Sequence, residues 1–157
     1  MSAVEDRLAE LGVTVPDVAM PVAAYLPAVR DGDHIFTSGQ LPMVSGALAA
    51  TGKVGDGPGL VPAEDAKKLA QICALNAIAA VKAQIGDLDK VTRVVKVVGF
   101  VASDPSFTGQ PGVINGASEL LGKAFGAAGF HARSAVGVAA LPLDAPVEVE
   151  ITVSVQD

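Results

Sequence analysis

The C-terminal part of the chain alternates apolar and polar residues without interruption, which predicts a strand with one buried face. Over residues 147–155 the valines and the isoleucine lie on one side, while Glu148, Glu150 and two hydroxyl residues lie on the other. An apolar run headed by Arg133 precedes this strand and is separated from it by a short Leu-Pro turn. If the two segments pair as neighbouring strands, an arginine and a carboxylate are held close together.

Helical periodicity predicts three helices. A capping box at Ser2 and Glu5 begins a short N-terminal helix, which Gly12 ends. A long helix is expected over Pro62–Ile85 and a further one over about Gln110–Gly126. The polar residues of the long helix cover only about 100° of its circumference, so a broad apolar face remains. A sheet is the natural partner for such a face.

The other strands are predicted from β-rich runs and turn residues. Val22–Val29 and His34–Ser38 flank an Asp-Gly turn and are expected to form a hairpin. The run Val91–Val101 is almost continuous valine, which predicts a strand buried on both faces. Gly99 within it suggests a bulge or a close approach of another backbone. Residues 42–62 are rich in Gly and Pro and are expected to form a long loop.

The order of elements is helix, hairpin, loop, helix, strand, helix, strand, strand, and it contains no internal repeat or linker. We therefore expect one α+β domain over residues 1–157, with residues 1–16 as a short helical extension. Its architecture would be a mainly β sheet with two helices on one face. A chain of 157 residues is long enough to bury such a core.

Composition narrows the function. The net charge of −6 argues against a nucleic-acid partner, because phosphate binding needs a concentrated basic surface. The single cysteine, Cys73, lies in a helical apolar pattern and is expected in the core. Two distant histidines and one cysteine provide no zinc spacing, so neither a metal nor a cofactor is expected. The acidic N-terminus and the lack of a long uncharged apolar run predict a cytoplasmic protein without membrane contact.

Several short motifs occur in a fixed order along the chain. They comprise Tyr25, Ser38-Gly39-Gln40, Asn115 with Glu119, Ala132-Arg133-Ser134, Leu141-Pro142 and Val147-Glu148-Val149. Together with the element order, they make the chain resemble the RidA/YjgF family, also called endoribonuclease L-PSP. The resemblance implies a chorismate-mutase-like (RidA-type) mixed sheet with two helices on one face, assembled as a homotrimer with ligand clefts between subunits.

The same resemblance implies hydrolysis of reactive 2-imino or 2-enamino acids to 2-oxo acids and ammonia. In that scheme Arg133 binds the substrate carboxylate through its planar fork of donors, and Glu148 positions water. The family's remaining pocket positions fall on Tyr25, Ser38, Gly39 and Asn115.

The chain departs from the family pattern at two positions near the arginine. Ala135 replaces a common cysteine, and His131 stands where proline or alanine is usual. Glu150 shares a face with Glu148, so either could be the site carboxylate. A non-catalytic trimer that binds a small carboxylate metabolite, as a sensor or regulatory module, is therefore an alternative to the hydrolase. An endoribonuclease is disfavoured, because the chain is acidic and lacks an evident histidine pair for RNA cleavage.

Overall fold

The computed structural model describes residues 1–21 and 23–157 and contains a five-stranded mixed sheet. Its strands are β1 (Ala28–Asp31), β2 (His34–Thr37), β5 (Val91–Ala102), β6 (Ala132–Val138) and β7 (Val147–Val155). They lie in the order β1-β2-β7-β5-β6, and only the β5–β6 pair is parallel. Two further strands, β3 (Met43–Val44) and β4 (Ala47–Leu48), form a small hairpin inside the predicted loop.

The described residues also contain three α-helices, namely α1 (Ala3–Glu10), α2 (Ala63–Ile85) and α3 (Gln110–Phe125). The helices α2 and α3 pack side by side on one face of the sheet, as predicted from the element order and from the broad apolar face of α2. The side chain of Ile114 on α3 fills the space above Gly99 of β5, because a methyl group on this glycine would lie 2.4 Å from Ile114 Cδ1. Gly99 thus makes room for a side chain of α3, whereas the register shifts of β5 lie nearer its start, between Val91 and Arg93 and between Val94 and Lys96.

The alternation along β7 sets the two faces of the sheet. Its valines and isoleucine are buried beneath the helices, and the intervening residues are half-buried on the opposite face, which we call the outer face. No helix of this chain's described residues packs on the centre of the outer face. Apolar side chains are exposed there, including Val136, at 45% of its full accessibility.

The N-terminal helix is held by polar contacts at both ends. The Ser2–Glu5 capping box is formed as predicted, and Asp89 accepts hydrogen bonds from the first backbone amides of α1 at 2.8 and 3.1 Å. Arg7 donates to the carbonyl of Ala124 near the end of α3 at 2.7 Å. These contacts attach α1 to the edge of the helical layer.

Three expectations about the strands need correction. The segments headed by Arg133 and Glu148 do not pair, because β5 lies between β6 and β7. The first hairpin strand begins at Ala28 rather than at Val22, which lies outside the described residues. Only one face of β5 is buried by the helices, whereas Phe100 on the outer face is half-buried. The valine content predicts the strand itself, whereas the elements packed against the strand decide which of its faces are buried.

No helix in the described ranges 1–21 and 23–157 is both long and apolar enough to span a membrane.

Candidate functional site

Arg133 lies on the edge strand β6, beside Val97 of β5 and on the helix-covered face. Its Nη1 donates to Asn115 Oδ1 at 2.8 Å and to Ser118 Oγ at 3.3 Å, and its Nη2 donates to the carbonyl of Pro111 at 3.1 Å. These bonds use three of the five guanidinium N–H groups. The N–H of Nε and one of Nη2 make no hydrogen bond to another described residue.

The neighbours of Arg133 come from one face of α3. Asn115 and Ser118 are three residues apart, so they share a helix face and both reach the guanidinium. Asn115 is one of the predicted site residues, whereas Ser118 is not among them. The i, i+3 spacing of two polar side chains on an otherwise apolar helix face was the signal that could have found it. In this chain Asn115 contacts the arginine and fixes its direction.

His131 belongs to the same cluster. Its Nδ1 lies 2.6 Å from the carbonyl oxygen of Gly129, and its Nε2 lies 2.9 Å from Ser118 Oγ. The ring is therefore connected to Arg133 through one serine hydroxyl. We refer to Asn115, Ser118, His131 and Arg133 as the arginine cluster.

Glu148 lies on the outer face of β7, away from the arginine cluster. It is packed against Gly39, where a built methyl group would lie 2.5 Å from Glu148 Oε2. Only glycine leaves the carboxylate this position. Burial raises the pKa of Glu148, and the nearby negative charge of Glu150 raises it further.

The remaining predicted residues lie near Glu148 rather than near Arg133. Ser38 donates to the carbonyl of Leu26 at 2.5 Å and thereby fixes the turn after β2. Tyr25 is 45% exposed and lines, together with Gly39, a small cavity of about 40 Å³. We refer to Tyr25, Ser38, Gly39 and Glu148 as the glutamate cluster.

The two clusters of one chain do not form a single site. On β6, Arg133 pairs with Val97 of β5. On β7, which lies on the other side of β5, Glu148 pairs with Phe100. Two strand spacings and three residues of rise put their backbones about 14 Å apart. The side chains also leave opposite faces of the sheet, so the expected proximity within one chain is wrong.

No group of three or more His, Cys, Asp or Glu side chains within the described part of the chain is arranged to hold a metal ion.

Residues 5–153 match the family described as "YjgF/chorismate mutase-like, putative endoribonuclease". Among curated proteins, Protein TCP17 of Trypanosoma cruzi is 41% identical over 152 residues, which cover 96% of this chain and 93% of that protein. The family match over residues 5–153 includes all residues of both clusters.

Solved structures agree with the sequence match. A protein of unknown function from Agrobacterium tumefaciens superposes with a TM-score of 0.91 at 46% identity, over 98% of this chain and 93% of that one. Escherichia coli TdcF, solved with bound serine, superposes with a TM-score of 0.65 at 25% identity, over 89% of this chain and 94% of that one. The fold predicted from the order of elements is thereby confirmed, and the chain belongs to the YjgF/chorismate mutase-like family.

Proposed function

We propose that the protein hydrolyses small 2-imino or 2-enamino acids to 2-oxo acids and ammonia. The observation that carries this proposal is the direction of the Arg133 donors. Bonds to α3 hold the guanidinium in place, while N–H groups on Nε and Nη2 are left without a partner among the described residues. Adjacent Nε and Nη N–H groups match the two oxygens of a carboxylate.

Glu148 is the group that handles water in this proposal. Its raised pKa makes it a stronger base than an exposed glutamate, and general bases work best when their pKa approaches the working pH. Water adds to the C=N carbon as Glu148 accepts its proton. The proton then passes to nitrogen, which gives a carbinolamine. The hydroxyl proton of that intermediate moves to the amino group by way of the same carboxylate, the C–N bond breaks, and ammonia leaves as the 2-oxo acid forms. A 2-enamino acid first takes a proton at C3 as its N–H proton is lost, and so becomes the imine that enters this sequence.

A complete site requires a second copy of the chain. The arginine cluster and the glutamate cluster lie on opposite faces of one sheet, so one subunit would contribute Arg133 and its neighbour Glu148. The homotrimer expected from the family resemblance supplies such a junction at each of its three interfaces. The assembly therefore belongs to the mechanism, since it brings the clamp and the base together.

Two observations support a small carboxylate as the ligand. A related protein, E. coli TdcF, was solved with serine, which has the carboxylate and nitrogen substituent of the proposed substrates. The unpartnered donors of Arg133 fit such a carboxylate.

The same observations support the alternative of a binding module, because a carboxylate clamp alone performs no chemistry. A ribonuclease is supported only by the wording of the family description, against a net charge of −6.

The test separates the hydrolase from the binding module. A dehydratase generates 2-iminobutanoate in situ, and release of 2-oxobutanoate is timed with wild type, Glu148→Gln and the matched control Glu150→Gln. Because Gln keeps the size and removes the base, Glu148→Gln should lose the acceleration while still binding 2-oxobutanoate. Glu150→Gln should retain most of the activity.

Other results would change the proposal in defined ways. If Glu150→Gln is the inactive variant, the base is the other carboxylate on the same face. If wild type gives no acceleration although 2-oxobutanoate binds, the protein is a binding module and the hydrolase proposal is wrong.

A further inference from the structure

A serine and a histidine of the arginine cluster have an arrangement that carboxylate binding does not require. Ser118 lies in the third turn of α3, where a serine hydroxyl can bond to the carbonyl four residues earlier or point into solvent. Here Oγ instead lies 2.9 Å from His131 Nε2. Both side chains are half-buried, so the pair is held in place and still reaches solvent.

The hydrogen bonds determine which atom carries each proton. A carbonyl oxygen only accepts, so the 2.6 Å contact between His131 Nδ1 and Gly129 O places the proton of the neutral ring on Nδ1. Nε2 then has a lone pair directed at Ser118, and the hydroxyl donates to it. A base within hydrogen-bond reach of a serine, itself oriented by a third group, is the arrangement that activates serine nucleophiles.

Charge and space are both available around the hydroxyl. Arg133 Nη1 lies 3.3 Å from Ser118 Oγ and places positive charge beside the oxygen that would become an alkoxide. Ser118 and His131 both line a cleft of about 480 Å³, whose wall includes Phe130, at 71% exposure, and Lys123. An acyl group of a few carbons fits this volume next to the serine.

We propose that Ser118 is a nucleophile activated by His131 and that it takes acyl groups from small carboxylic esters. Ser118 Oγ attacks the ester carbonyl carbon as its proton passes to His131 Nε2. The C–O bond to the leaving alcohol then breaks, and that alcohol receives the proton from His131. Water, deprotonated by the same nitrogen, hydrolyses the acyl-serine and restores both residues. This activity does not depend on imine hydrolysis and uses no residue of the glutamate cluster.

The test is covalent labelling of the purified protein with an alkyl fluorophosphonate, followed by peptide mapping by mass spectrometry. Ser118 Oγ should form the bond to phosphorus as fluoride leaves, which adds the phosphonyl group at that residue. His131→Gln should slow labelling by at least about 100-fold, the usual contribution of a general base. Hydrolysis of 4-nitrophenyl acetate should fall in parallel.

The chain offers matched controls for both residues. Ser134→Ala removes an exposed serine of β6, and His34→Gln removes the second histidine, which lies exposed on β2. Both variants should be labelled at the wild-type rate, whereas Ser118→Ala should carry no adduct on that peptide. A wild-type protein without an adduct at Ser118 would overturn the proposal, and so would a folded His131→Gln labelled as fast as wild type. Neither result depends on the imine assay, so the two proposals fail separately.

Discussion

Arg133 has its hydrogen-bond donors divided between two directions. Those bonded to Asn115, Ser118 and Pro111 fix the side chain against α3, and those on Nε and Nη2 remain for a ligand. The sequence identified the arginine and the asparagine because both sit in short motifs. It could not show that the asparagine contacts the arginine, since the two are 18 residues apart and meet only when α3 packs on β6.

Replacing Arg133 by lysine should weaken ligand binding far more than the conserved charge suggests. Lysine lacks the parallel donors, and losing one charge-assisted hydrogen bond costs roughly 1.5–3 kcal/mol, or roughly 10- to 150-fold in Kd. Isothermal titration with 2-oxobutanoate measures the change. Arg30→Lys is the control, because Arg30 pairs with Asp157 at the far edge of the sheet. Equal affinities for wild type and Arg133→Lys would remove Arg133 from the binding site.

The start of helix α1 is specified by residues that are close together in the sequence. Its capping box could be recognised from Ser2 and Glu5 alone, because both partners lie within one turn. Its attachment to Asp89 and Lys82 could not be recognised, since these partners are more than 70 residues away. The bond to Lys82, together with the amide of Ser2, lowers the pKa of Glu5 from 4.5 to about 2.

This lowered pKa predicts a stability that depends on pH. A carboxylate whose pKa is lowered by folding stabilises the native state above its unfolded pKa, and this contribution is lost as the pH falls through the folded value. Glu5→Gln should therefore reduce the free energy of unfolding at neutral pH, and the deficit should shrink between pH 4.5 and about 2. Urea unfolding across this range measures it.

Glu10→Gln, an exposed change on the same helix, should have little effect at either end of the range. A Glu5→Gln deficit that stays constant down to pH 2 would show that packing, rather than the ionised carboxylate, is responsible.

For the whole molecule, the two clusters on opposite faces of the sheet lead to an expectation about assembly. The outer face of a single chain exposes apolar side chains such as Val136 and leaves Phe100 half-buried. Contiguous exposed apolar surface can mark an interface with another chain. If the site needs the arginine cluster of one subunit and the glutamate cluster of another, assembly of the subunits is also required for function.

Light scattering at micromolar concentration should therefore return three times the 15.7 kDa mass of the chain. Val136→Glu should lower this mass because it places a charge on the outer face of β6. Leu11→Glu is the matched control, since Leu11 is similarly exposed, at 41%, but lies at the end of α1. A monomer mass for the wild type would contradict both the trimer and a site shared between subunits.

By itself, the sequence determined the elements whose signals are local. Alternation at every second residue showed which side chains of β7 turn inward, and caps and periodicity located α1, α2 and α3 to within one residue at most ends. The order of the motifs also predicted the family and its fold, and the family match over residues 5–153 includes every one of these motifs.

Only the tertiary structure decided which elements are neighbours. The connection through α3 places β6 parallel to β5, while β7 pairs antiparallel along the other side of β5. Strands adjacent in sequence are thereby separated in space, and Arg133 and Glu148 point to opposite faces. Ser118 and His131 likewise meet only because α3 crosses the start of β6. Periodicity specifies which face of an element is buried, whereas the packing of whole elements decides what lies against that face.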